Sequence, residues 1–331
     1  MGRRHGDTAA DRAIPHLGRL TVPAEAERCL NAALSEQGHP WLTDGAGPLR
    51  VQAVTVLREH AGSRWTLRYA VRRGEEERTL IGKVYSRDRS DVLTLLTSLR
   101  AGGLGPGQPM QVPAPVAYLP GLRLLLVEEA PGIPARTSLR RGDTGVLERT
   151  AGWLAAFHAA AVPPPTSAQP SDPLDKARRW AKALGEHAPH LKGEARHLLA
   201  ALMEREPRPG PPHLVHGDFS VSHVYVSEGT TTVIDWDSWE VGDIAEDAGR
   251  LYASLQHLAA RRPERYGGAA ETFAGFYRAA VPAAWESLPF YAALSCLRTA
   301  KRLTAKGVPH RIGYARTLLT AGLSSLTAAG G

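Results

Sequence analysis

Two neighbouring segments constrain this chain more than any other part of it: LVHGDFSVSHVYV, Leu214 to Val226, and TTVIDWDSWEVGD, Thr231 to Asp243. Each holds a short run rich in Val, Ile and Tyr, so both read as strands meeting at a tight turn near Glu228 and Gly229. Asp218 precedes the first strand and Asp235 ends the second. A hairpin therefore brings both carboxylates to one edge, with the His223 imidazole between them. That combination suits phosphoryl transfer. One carboxylate orients an attacking hydroxyl and accepts its proton, while the other holds a divalent cation that bridges nucleotide phosphates. His-Gly-Asp alone is only a tripeptide, and Asp-Trp-Asp alone is a plausible strand cap. Their order, spacing and strand context carry the signal together.

The pair resembles the catalytic loop and metal-binding aspartate of the aminoglycoside phosphotransferase family, small-molecule kinases with the protein-kinase-like fold. The resemblance covers roughly Pro48 to the end of the chain. It implies an α+β, two-lobed architecture, with a small antiparallel-sheet N-lobe and a large, mainly helical C-lobe. The expected division is a helical N-terminal extension over 1–47 and a nucleotide-binding sheet over 48–127. A hinge at 128–132 then leads into a helical C-lobe over 133–331, which holds the catalytic loop and substrate site.

Taken in order, Pro23 to Gln37 has helical spacing (Ala26, Cys29, Leu30, Ala33) behind a proline suited to a first turn. Strands follow at VQAVTVL and WTLRYAV. The resemblance implies that Gly62 and Ser63, between them, offer backbone N–H groups to phosphate oxygens. In RTLIGKVY, Lys83 stands inside an apolar strand, where a charge is costly unless paired. It reads either as a snorkelling lysine on an edge strand or, by the resemblance, as the lysine that holds the α- and β-phosphates. The next helix, SDVLTLLTSLRAGG, lacks the glutamate that kinases pair with that lysine; Asp91 is the nearest acid, with Asp88 behind it. GGLGPGQ is broken by Pro106 and reads as a loop. Strands near 115–119 and 123–127 lead into EEAPG, where Glu128 C=O and Ala130 N–H would read the adenine edge.

Beyond Gly132 the pattern is helical. The helix from Thr144 buries Trp153, Leu154 and Phe157, and its His158 reads as a core residue. Asp172-Pro173 fits an N-cap and first position, opening helices to about Gly185 and from Leu191 to Glu206. This insert, KARRWAKALGEHAPHLKGEARH, is predominantly basic. Asp243 and Asp247 suit backbone and helix N-terminal donors. Further helices are predicted near 268–280, 284–306 and 312–328.

At 331 residues and 43% hydrophobic content the chain can fill two lobes. Cys29 and Cys296 are far apart and lack metal-site spacing, which points to a reducing compartment. The opening MGRRHGDTAADRAIPHL has no apolar stretch behind its arginines, and no run is long enough to span a bilayer. A soluble, cytoplasmic protein is predicted. The formal charge of +7 is scattered, with no basic run interleaved with aromatics, so no nucleic-acid or membrane partner is expected.

The resemblance implies a kinase that moves the γ-phosphate of ATP (or GTP) to a hydroxyl of an antibiotic, a sugar or a similar metabolite. Mg²⁺, or Mn²⁺, would be held by Asp235. His223 occupies the usual asparagine position and could be a second metal ligand. Asp218 would be the base, with His216 holding its loop. The basic insert disfavours polycationic acceptors. Trp236, Trp239 and Trp285 read either as a sugar-stacking surface or as core. Three alternatives carry less weight. A zinc site from His213, His216, Asp218 and His223 would need side chains that strand and loop directions scatter. A protein kinase would have arginine where Gly217 stands. A regulator that binds nucleotide without turnover would explain the missing helix glutamate and His223.

Overall fold

Alternating apolar residues organise the first part of the chain in the computed structural model, which describes residues 14, 16–42, 45–60, 62–160, 162–163, 170–208, 210–305 and 309–328. The arginine-bearing start and most of the proline-rich stretch before Asp172 lie outside the described residues. The chain divides into two compact units, Met1–Ala101 with Val112–Ala130, and Gly102–Gln111 with Pro131–Gly331. The boundary at Ala130 falls inside the segment expected as a hinge, and residues 102–111 belong with the second unit.

The first unit holds helix α1 (Pro23–Glu36), strands β1 (Arg50–His60), β2 (Arg64–Arg73) and β3 (Glu76–Tyr85), helix α2 (Ser90–Leu99), and strands β4 (Pro115–Leu119) and β5 (Leu124–Glu128). Its antiparallel sheet has the order β1-β2-β3-β5-β4. Period-2 alternation sends Trp65, Leu67, Tyr69 and Val71 to a buried face, where they meet Leu20, Ala26, Leu30 and Leu34 of the N-terminal extension. The extension is thus part of this unit's core. Each leucine so buried contributes about 1.5–3 kcal/mol. Polar contacts fix its register: Asn31 exchanges two hydrogen bonds with the Leu49 backbone, and the Tyr69 hydroxyl donates to Leu20 O at 3.2 Å.

In the second unit, helix α3 (Gly145–Ala159) precedes α4 (Pro173–His187) and α5 (Lys192–Glu204). Asp172 caps α4 as its sequence predicts, accepting from Leu174 N at 2.7 Å with Pro173 in the first turn. Short strands follow: β6 (His213–Val215), β7 (Val224–Val226), β8 (Thr231–Val233) and β9 (Glu240–Gly242). Helices α6 (Glu246–Arg261), α7 (Ala269–Ala280), α8 (Leu288–Thr304) and α9 (Pro309–Ala328) complete the unit. β7 and β8 form the expected hairpin, closed where Ser227 N donates to Thr230 O, and β6 pairs with β9. A Cβ on Gly249 of α6 would collide with the backbone of Tyr291 and Ala292. This glycine lets α6 and α8 approach closely, which matters for the site. No described helix is long and apolar enough to cross a membrane.

Candidate active site

β6 delivers the chain into His216-Gly217-Asp218, a loop whose backbone is gripped from outside. The buried Asp247 carboxylate, in the first turn of α6, accepts His216 N at 2.6 Å and Gly217 N at 3.0 Å. Burial pushes Asp247 up to about 6, against the pull of those donors and of Arg250. Gly217 has φ +74°, and a Cβ there would overlap the Ser238 carbonyl. Glycine is required on both counts. Asp243 serves a similar end, accepting Ala245 N at 2.8 Å.

His216 ties the two halves of the hairpin together. Its Nδ1 accepts Asp218 N at 3.2 Å, so the proton sits on Nε2, which donates to Ile234 O at 2.8 Å. Burial, helped by His223, pushes it down to about 4, so the ring is neutral near pH 7. The ring is fully buried, stacked on His223, edge-on to Phe219 and tilted against Trp236, and both nitrogens are already used. This is the geometry of a positioning residue.

Asp235 and His223 stand beside this loop. Asp235 adopts the left-handed region (φ 69°, ψ 52°), uncommon for a residue with a Cβ and least so for Asp and Asn. His223 Nδ1 donates to Asp218 O at 2.8 Å, since a carbonyl can only accept. Nε2 is therefore the ring nitrogen that faces Asp235, whose Oδ2 lies 3.5 Å from it. Two electron-pair donors at that distance repel unless a proton or a cation lies between them. One carboxylate and one imidazole fit a divalent cation that draws its other ligands from water and phosphate. Among the described residues, no group of three or more His, Cys, Asp or Glu side chains forms a metal site, the four-residue zinc cluster included.

Asp218 has company that sequence reasoning missed. Arg250 Nη1 of α6 and Arg298 Nη2 of α8 lie 3.6 Å from its Oδ1, and Arg302 Nη1 of α8 lies 3.8 Å away. Arg298 also donates to Gly217 O at 3.1 Å and sits over the Trp180 ring of α4 at 6.0 Å. The available signal was the i,i+4 spacing of Arg298 and Arg302, which puts both on one face of a helix. The basic insert is less charged than it reads, because Lys176 pairs with Glu240 at 2.8 Å and Arg178 with Asp175 at 2.8 Å. Trp236 is core, donating Nε1–H to Val233 O at 2.9 Å beside Phe157 and Trp153, so it has no face for a sugar. Trp285 is overlain by Arg278. His158 is half-buried against Phe157 and Tyr277, and desolvation pushes it down to about 3.

In the first unit, Lys83 lies on β3 between Thr66 and Leu125 with its side chain buried. Asp91 is engaged by Arg89 at 2.9 and 3.0 Å, and Asp88 accepts the Ser90 hydroxyl at 2.7 Å. Gly62 takes φ +70° in the turn after β1, and Ser63 N donates to His60 O at 2.9 Å. The Ser63 amide is thus committed to the turn, and any phosphate contact from this residue falls to its hydroxyl. Glu128 ends β5 with its carboxylate on Arg78, and Ala130 is the last residue of the unit.

The model of the phosphotransferase enzyme family (APH) matches residues 56–290, well over half of the chain. Among curated proteins no sequence match is found. The fold is similar to that of a choline/ethanolamine kinase family protein from Mesorhizobium loti, with TM-score 0.56 and 16% identity over 91% of this chain and 98% of that one. It is also similar to a thermostable mutant of aminoglycoside phosphotransferase APH(4)-Ia in ternary complex with AMP-PNP and hygromycin B. There the TM-score is 0.58 and the identity 18%, over 87% and 98% of the two chains. Choline kinase LicA from Streptococcus pneumoniae gives TM-score 0.59 and 15% identity over 92% and 99%. At identities this low the likeness establishes the fold, which is α+β and protein-kinase-like.

Proposed function

The chain belongs to the phosphotransferase enzyme family, and from that premise we propose an ATP-dependent kinase that phosphorylates a hydroxyl of a small molecule. An antibiotic, a sugar or a similar hydroxylated metabolite is the acceptor class, and GTP is the alternative donor. The observation that carries the reading is the Asp218 loop. Its amides, glycine and histidine are all engaged in holding one partly exposed carboxylate in place beside Asp235 and His223. The neighbouring folds support it: APH(4)-Ia is in complex with AMP-PNP and hygromycin B, LicA is a choline kinase, and the third is a choline/ethanolamine kinase family protein.

Asp218 is the base, orienting the hydroxyl and taking its proton as the oxygen attacks the γ-phosphorus. His216 and Asp247 hold that carboxylate in place. Asp235, with His223, would hold Mg²⁺ or Mn²⁺. A cation bound there would neutralise phosphate charge. Lys83 is assigned to the α- and β-phosphates, Gly62 and the Ser63 hydroxyl to phosphate oxygens, and Glu128 C=O with Ala130 N–H to the adenine edge. ADP release over a panel of hydroxylated compounds, with and without Mg²⁺, tests the proposal. Metal-dependent turnover of at least one compound is expected. Nucleotide binding with no turnover of any would favour the second reading, a regulatory nucleotide-binding protein, to which the helix without glutamate and His223 point.

A further inference from the structure

Three guanidinium groups face one partly exposed carboxylate. Arg250, Arg298 and Arg302 converge on Asp218 Oδ1 at 3.6, 3.6 and 3.8 Å, beyond the 2.7–3.2 Å usual for N–H···O hydrogen bonds. Their donors are drawn toward Asp218 without being used up by it. We propose that they form an anion subsite, and that the acceptor is a hydroxylated molecule carrying a carboxylate or phosphate group. This rests on the reading of Asp218 as the base, and it places the acceptor's anion beside the hydroxyl to be phosphorylated.

Arg250 is the most buried member of the set. Its side chain is 12% exposed, and its Nε and Nη1 have no hydrogen-bond partner among the described residues. Those two nitrogens are closed to solvent, so Arg250 lends the subsite its charge, and the donors an anion can reach belong to Arg298 and Arg302. Asp247 and Glu246 act on Arg250 through charge without bonding those two nitrogens: both Asp247 oxygens take loop amides, while Glu240 Oε2 takes Lys176 and Ser171. Glu246 is pushed toward its neutral form by burial.

Arg298 is fixed in advance. Its Nη1 holds the Gly217 carbonyl and the Trp180 ring backs its plane, while Nη2 faces Asp218. Arg302, one turn further along α8, is 63% exposed and leaves the subsite open on one side. Arginine presents rigid forked donors that match carboxylate and phosphate. An amine-bearing or quaternary ammonium acceptor would bring its charge against all three, an unfavourable Coulomb term at this range.

The test uses the full chain saturated with Mg²⁺ and AMP-PNP, so that the nucleotide's phosphates are already placed. Inorganic phosphate and malonate are titrated at constant ionic strength, and the shift of the thermal midpoint is read. A saturable rise is expected in the wild type, with the apparent affinity about tenfold weaker in Arg298→Gln and Arg302→Gln. Arg302 is largely exposed, so its variant reports even if Arg298→Gln loosens the Gly217 loop. No saturable response in the wild type, or wild-type behaviour in both variants, overturns the proposal. An equal loss of AMP-PNP affinity in both also overturns it, because the arginines would then serve the nucleotide. Failure of the wild type to bind AMP-PNP would instead sink the kinase reading, and the anion titration is then read without nucleotide. In turnover assays, a polyol, its carboxylate analogue and its amine analogue should rank with the carboxylate highest in kcat/KM. Preference for the amine would contradict the subsite.

Discussion

Asp247 receives the backbone N–H of His216 at 2.6 Å, from 31 residues further along the chain. Its second oxygen takes the Gly217 amide at 3.0 Å. One buried side chain thereby sets the path of the loop that ends in Asp218, and it ties that loop to the first turn of α6. Each buried amide left without an acceptor costs about 1–3 kcal/mol. Asp247→Asn, which keeps one acceptor oxygen, should lower unfolding free energy by about that amount, and Asp247→Ala by roughly twice as much. Urea titration measures both. A neutral effect would mean that other groups hold the loop.

Glu246 and Asp247 should each withdraw stability as pH rises from about 4 toward 7. Glu246 is raised from 4.5 to about 7 and Asp247 from 3.8 to about 6, in each case first by burial. A raised carboxyl keeps its proton in the folded state after the unfolded chain has released it. Its contribution is therefore complete below the unfolded value and lost as pH climbs through the folded one. His216 and His158 act with the opposite sign, because their lowered values favour the folded state above 6.5. Comparing Glu246→Gln with the wild type isolates the Glu246 part, at most about 3 kcal/mol across that window. Parallel stability–pH curves for the two proteins would contradict the assignment.

Asp218→Asn should bind Mg²⁺–nucleotide nearly as well as the wild type while losing about two to four orders of magnitude in turnover. Asp235→Asn should show the reverse emphasis, with weaker metal–nucleotide binding. Calorimetry and ADP release separate the two. Near wild-type turnover in Asp218→Asn would remove it as the base.

His223 turns its Nε2 toward Asp235 Oδ2 at 3.5 Å. Nitrogen suits Mn²⁺ better than Mg²⁺, and an amide oxygen is a harder ligand. Activity with Mn²⁺ relative to Mg²⁺ should therefore drop in His223→Asn. An unchanged ratio would make the ring a structural bridge to the Asp218 carbonyl.

Gly217 and Gly229 provide a matched pair. Both have positive φ, +74° and +73°, but a Cβ meets the Ser238 carbonyl at the first and open space at the second. Gly229→Ala should cost about 1–2 kcal/mol, the price of the left-handed conformation. Gly217→Ala should cost clearly more and should also lower turnover. Equal melting temperatures for the two variants would argue against the close loop contact.

What the sequence determined by itself was local. Val and Ile alternation, the Asp172-Pro173 cap and the spacing of Trp153, Leu154 and Phe157 each depend on neighbours within a turn or a strand. The hairpin edge that carries Asp218, His223 and Asp235 was legible for the same reason, since one short turn brings its two halves together. Tertiary structure decided the rest. Arg250, Arg298 and Arg302 belong to helices whose periodicity shows which residues share a face but not what that face meets. Their convergence on Asp218 follows from the close approach of α6 and α8 at Gly249 and from the anchoring of the Gly217 carbonyl. The fate of Trp236 was likewise nonlocal, because only packing against Phe157 and Trp153 distinguishes a core indole from a stacking surface. The N-terminal extension follows the same rule. Its helix was written in the spacing of Ala26, Cys29 and Leu30, but the sheet face that those residues cover exists only once β1, β2 and β3 have paired.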